Sequence, residues 1–252
     1  MCAVTRRAPD PARTLALLWG AQRHEGRSGL SVRTIVSAAI DIADAEGLEA
    51  AVMRRVAEHL GVGTMSLYTH VPGKAELTAL MADTALGTLY PTATPSSAGD
   101  WRAGLRMIAR ENWALYDRHP WLLAAMDGRG ELGPNVMRKY ELELAPLDGI
   151  GLTDVEMDST LTMVLVYVEG VWRTRHSLRR AQEYTGRTDA EWWQTTGPIL
   201  ERVMSGGADQ FPLGGRVGTA AGQQHNAMID PVHALEFGLD RIIDGISALI
   251  AR

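Results

Sequence analysis

The side chains of this 252-residue chain that are able to do chemistry do not assemble into a catalytic set. There is no GxSxG and no phosphate-loop GK[ST], and GGRVG (Gly214 to Gly218) falls in an expected loop without the strand and helix that a phosphate cradle needs. The seven histidines are scattered without HxxxH, HxxH or Cys/His spacing, so no metal and no cofactor is expected. What the sequence does concentrate is hydrogen-bonding capacity in one short stretch, Thr64 to His70, with three hydroxyls, a phenol and an imidazole. Such side chains bond base edges and phosphate oxygens, which is the chemistry of recognition and not of an enzyme.

Recognition requires a scaffold that holds this stretch outward. Ser31 is placed to cap a helix running to about Glu46, with Ile35, Val36, Ala39, Ile40 and Ala43 on one face and Gly47 past its end. A second helix is expected from Ala51 to Leu60, with Val52, Val56, Ala57 and Leu60 inward. Gly61-Val62-Gly63 then turns the chain abruptly into Thr64 to His70. Gly61 can take the left-handed conformation, Ala57 is small enough for close helix crossing, and Leu67 and Val71 lock the following helix into the core. This is the pattern of a helix-turn-helix.

A further helix is expected from Lys74, with Leu77, Leu80, Met81 and Leu89 apolar, before the loop Pro91 to Gly99, the expected domain boundary. Beyond it come candidate helices at 100–118, 134–147, 153–181, 189–204 and 231–251, with a Thr153/Glu156 capping box and a bend or break at Pro198. The Gly-rich stretch Ser205 to Asp230 reads as a mobile connection. Strand signals are scarce, so the fold class is all-α: an N-terminal arm (1–30), a three-helix helix-turn-helix domain (31–90) and a larger helical domain (100–252).

With 46% apolar residues the chain can build a real core. Its one cysteine, Cys2, permits no intrachain disulfide and suits a reducing, cytoplasmic setting. The apolar run Leu15 to Ala21 is too short to span a membrane and is a poor secretory signal. Net charge is −5, unevenly distributed. Residues 1–30 carry five arginines against Asp10 and Glu25, residues 31–80 four basic against six acidic groups, and residues 81–252 sixteen against twenty-two. Charge therefore permits DNA binding without demanding it, and a helical small-molecule or partner-binding protein without specific DNA affinity is the competing reading. The basic arm is either a tail or a minor-groove extension, and residues 11–21 are able to make a short helix.

Leu30 to Leu80 resembles the DNA-binding domain of the tetracycline-repressor (TetR) family, through Ala43 to Ala50 (AxxxGLEA), MRRVAEHLGV, SLYTHV and PGKAEL. The resemblance implies that Thr64, Met65, Ser66, Tyr68, Thr69 and His70 face DNA. Thr64, Ser66 and Thr69 would bond base edges or phosphate, Met65 would touch a thymine methyl, and Tyr68 and His70 would reach phosphate oxygens. Packing for Tyr68 and capping for His70 are the competing roles. Arg54 is placed to read a guanine or hold a phosphate and Lys74 to pair with backbone phosphate, whereas Arg55 reads as solvated.

HPWL (His119 to Leu122) and Leu235 to Ile250 resemble the regulatory domain of the same family, implying a homodimer, joined through its C-terminal helices, that binds a near-palindromic duplex operator and a small-molecule effector. Leu235, Leu239, Ile242, Ile243, Ile246 and Ile250 make an apolar face broader than one neighbour requires. An effector pocket would draw on Trp113, Tyr116, Met137 and Tyr140, and on Met163, Tyr167, Trp172, His176 and Trp192, which equally fit core packing. The histidine through which the tetracycline repressor holds drug-bound magnesium has no counterpart in Met126 to Asn135, so that metal site does not carry over.

Overall fold

In the computed structural model the described residues are 11–20, 30–126, 132–205 and 211–251. Among them are twelve helices and no strand, as the all-α reading expects. The helices are α1 (Pro11–Gly20), α2 (Val32–Glu46), α3 (Met53–Leu60), α4 (Thr64–Tyr68), α5 (Lys74–Leu86), α6 (Trp101–Arg118), α7 (Leu122–Ala125), α8 (Pro134–Leu144), α9 (Asp154–Thr185), α10 (Asp189–Ser205), α11 (Pro212–His225) and α12 (Pro231–Ile250). The chain divides into two compact units, Met1–Leu161 and Thr162–Arg252. Helices on both sides of the Pro91 to Gly99 loop therefore belong to the first unit. No helix among the described residues is long and apolar enough to cross a membrane.

In the first unit, α2 begins where Ser31 and Thr34 form a reciprocal cap, and it buries Ile35, Val36, Ala38, Ala39, Ile42 and Ala43. The second helix starts later than expected, because Leu48–Ala50 form a 3-10 turn. Val52 becomes an extended, exposed cap, and Met53 takes its inward place beside Val56 and Ala57. On α5, Leu77, Leu80, Met81 and Leu86 are buried, and Leu89 is buried just beyond the end of the helix.

Helix α8 is fastened to the end of α5 at two levels. The Asp83 carboxylate accepts hydrogen bonds from the backbone N–H groups of Asn135 (3.0 Å) and Val136 (3.1 Å) and from the Asn135 amide (2.9 Å). One buried side chain on α5 thus caps the first turn of α8. A turn later, Arg138 donates to the carbonyls of Leu89 and Tyr90. Fully buried Glu143 accepts from the Tyr90 hydroxyl (2.7 Å), Asn112 Nδ2 (2.7 Å) and Lys139 Nζ (2.5 Å). Burial, followed by the neighbouring Glu143 charge, pushes the Tyr90 hydroxyl far above its ordinary pKa.

Residues 11–20 form the short helix expected there, α1, which packs on α5. Leu18 and Thr14 are buried, and the Trp19 indole N–H donates to the Leu132 carbonyl at 3.1 Å. The apolar run that is too short for a membrane is long enough to cover α5. Arg6, Arg7, Arg23 and Arg27, which carry most of the arm's charge, lie outside the described residues.

In the second unit, α10 continues through Pro198 to Ser205, so of the expected bend or break the break does not occur. Nor is Ser205 to Asp230 an irregular connection, since it contains α11. Pro212 opens that helix with a preset φ, and left-handed Asn226 (φ 50°) closes it. Gly222 lies directly under the Trp193 ring, where a Cβ would collide with the indole. The glycine that suggests a loop in sequence is here a seat for tryptophan.

Candidate nucleic-acid interface

The geometry of the turn between α3 and α4 follows from its glycine. Gly61 adopts φ 67° and ψ 30°, and its N–H and that of Val62 return to the last carbonyls of α3. This left-handed cap is free of Cβ strain only for glycine. The chain re-enters a helix at Thr64, anchored from below by Leu67 and Val71, both completely buried. With those two side chains inward, Met65 is 77% exposed and Tyr68 43%, Ser66 and Thr69 are exposed, and Thr64 and His70 are half-buried. All six nominated side chains thus belong to one short projecting element. Thr69 has already committed its proton, since its hydroxyl donates to the Ser66 carbonyl at 2.7 Å.

The cations around this element are held by carboxylates. Arg54 pairs with Glu58 (3.6 Å, one helical turn apart), Arg55 with Glu46 (2.8 Å) and Lys74 with Glu49 (2.8 Å). Arg55 is therefore not merely solvated, for it ties the end of α2 to α3. Its hydrogen bond to Glu46 raises its already high pKa. Sequence reasoning places the cations but leaves out their partners. Only the Arg54 and Glu58 pair carries a local signal, its i,i+4 spacing.

The nominated effector residues fall in different settings. In the first unit Tyr116 is buried, Trp113 half-buried, and Met137 and Tyr140 exposed, with the Tyr140 hydroxyl donating to Asp158 at 2.8 Å. In the second unit Trp172 is buried and stacks on His176 at 4.8 Å, and the Tyr167 hydroxyl donates to the Ala234 carbonyl. Met163 and Trp192 are exposed. On α12, Leu235, Leu239, Ile243 and Ile246 are buried, while Ile242 and Ile250 are half-exposed and Val232 and Phe237 exposed. A cleft of about 320 Å³ in the first unit is lined by none of the nominated residues.

A glycine-turned helix pair with a polar-aromatic second helix, followed by a helical body, defines the class of helix-turn-helix transcriptional regulators. Residues 35–81 match the family described as bacterial regulatory proteins, tetR family, and residues 94–250 match the tetracyclin repressor-like, C-terminal domain. The chain belongs to the TetR family of transcriptional regulators. It is 43% identical over 248 residues to the HTH-type transcriptional repressor DrrR1 of Streptomyces coeruleorubidus, covering 96% of this chain and 88% of that one. Its fold matches the crystal structure of apo ActR from Streptomyces coelicolor with a TM-score of 0.69 at 26% identity, covering 90% of this chain and 99% of ActR. The complex of ActR with actinorhodin matches with a TM-score of 0.67 at 26% identity, over 88% and 97% of the two chains.

Proposed function

We propose that this regulator is a repressor that binds a near-palindromic duplex operator as a homodimer and is released by a small apolar or aromatic effector. The observation that carries the reading is the α4 element, whose Leu67 is wholly buried while Met65, Ser66, Tyr68 and Thr69 face out. Ser66 and Thr64 read base edges or phosphate, Thr69, its proton spent on Ser66, accepts from a base edge, Met65 meets a thymine methyl, Arg54 reads a guanine or holds a phosphate, and Tyr68, His70 and Lys74 hold the backbone. Similarity to the repressor DrrR1 supports the repressing sense, and similarity to ActR, solved with actinorhodin, supports an aromatic effector. The effector is taken up by the helical body, and within each unit the candidate contacts are Trp113, Tyr116, Met137 and Tyr140 in the first, and Met163, Tyr167, Trp172, His176 and Trp192 in the second. Dimerisation uses the C-terminal helices, where Val232 and Phe237 are exposed. The protein acts in the cytoplasm.

Footprinting the full-length protein on the DNA upstream of its own and adjacent genes, with and without a planar aromatic such as actinorhodin, tests this. Protection of a near-palindrome that the aromatic relieves is expected. Absence of specific protection on any such DNA refutes the repressor reading.

A further inference from the structure

We propose that the cleft between α1, α2, α5 and the start of α8 is a ligand site for a compact organic monoanion with an apolar body. Its volume is about 320 Å³, within the range of small-molecule sites. Leu18 of α1, Val36 and Ile40 of α2 and Leu80 of α5 supply apolar walls, and the hydroxyl residues Ser37 and Thr84 belong to the same lining.

Two ionic side chains line the cleft, Asp83 and Arg33, and only Asp83 has hydrogen-bond partners among the described residues. The Asp83 carboxylate accepts from three N–H donors in the first turn of α8, although burial outweighs them. Arg33 has no hydrogen bond or ion pair among the described residues, whereas Arg54, Arg55 and Lys74 each hold a carboxylate. The cation without a carboxylate partner thus lies on the same lining as two hydroxyl residues. A ligand carboxylate pairs with the guanidinium and accepts from these hydroxyls, while its apolar body covers the half-exposed Val32, Ile40 and Pro134 of the same lining. The Leu18 wall belongs to α1, outside the two family-matched segments 35–81 and 94–250. The site is thus built in part by the chain's own N-terminal helix, apart from every residue nominated above for the effector.

Calorimetric titration of the full-length protein with octanoate, using octan-1-ol as the uncharged molecule of the same tail, tests the site without reference to DNA. Failure of the repressor reading consequently leaves the result interpretable. Saturable octanoate binding is expected, weakened about tenfold or more by Arg33→Gln, largely kept by Arg33→Lys, and about tenfold stronger than octanol binding. Ser37→Trp, which fills the cleft, is expected to abolish it. Arg33 is on the surface, so the Gln variant reports even if the Trp variant fails to fold. No saturable binding, binding unchanged by Arg33→Gln, or equal binding of octanol overturns the proposal.

Discussion

Asp44 and His119 meet at 2.8 Å, Oδ1 to Nδ1, and the same carboxylate oxygen accepts the Trp121 indole N–H at 2.6 Å. A single acidic group on the first helix of the helix-turn-helix thereby holds the segment between α6 and α7. Asp44→Ala leaves two donors without an acceptor and is expected to cost about 1–2 kcal/mol in urea unfolding, with Asp44→Asn, which keeps an oxygen, costing less. Equal midpoints for parent and Ala variant refute the role of the pair.

The two exposed hydroxyls of α4 are not equivalent. Thr69 spends its proton on the Ser66 carbonyl, so it offers DNA only an acceptor, and phosphates offer it no donor in return. Ser66→Ala is therefore expected to weaken operator binding by about tenfold, in line with one lost contact, and Thr69→Ala by distinctly less. Fluorescence anisotropy on the footprinted site measures both. The reverse order means that the Thr69 bond breaks on binding DNA.

On the proposed DNA contacts, Glu49 competes with phosphate for Lys74. Their 2.8 Å pair is largely exposed, so releasing it costs little, and Glu49→Gln also removes a negative charge beside the phosphate path. The variant is expected to bind operator up to about fivefold more tightly at low salt, with the gain fading at high salt. A gain that does not depend on salt contradicts the electrostatic account.

Much of this was legible from residue spacing. Ser31, Gly61, Leu67 and Thr153 act locally, through caps and a turn decided by residues within a few positions, and the structure places each as the pattern predicts. What spacing hides is long range. Asp44 and His119 lie 75 positions apart, and Asp83 and Asn135 lie 52 apart, so no local signal pairs them. The same blindness turned α11 into a loop, because glycine content was visible and the Trp193 ring against Gly222 was not.

That contact makes Gly222→Ala a direct probe of α11. The added Cβ collides with the indole, and the helix must shift or Trp193 must leave its seat. Despite the better helix propensity of alanine, the variant is expected to lose about 1–3 kcal/mol of stability and to show altered tryptophan emission. A more stable variant means that Trp193 does not occupy this position in solution.

Asp83 gives the fold a pH dependence of definite sign. Burial raises its carboxyl above the ordinary value of 3.8, outweighing the N–H donors of Val136 and Asn135 that lower it. The folded chain therefore holds this proton more tightly than the unfolded chain. The stability this group contributes is complete below the unfolded value and is lost as pH rises through the folded one. Asp83→Asn removes the titration yet keeps an oxygen for the first turn of α8, so its stability relative to the parent is expected to improve as pH climbs from about 3.5 to about 7. Asp83→Ala, which leaves that turn uncapped, is expected to be less stable than the Asn variant throughout, by about 1 kcal/mol. Thermal melts across this range decide the matter. A parent-to-Asn difference that stays flat shows the carboxylate to be as well solvated in the fold as out of it, which its packing between α5 and α8 does not allow.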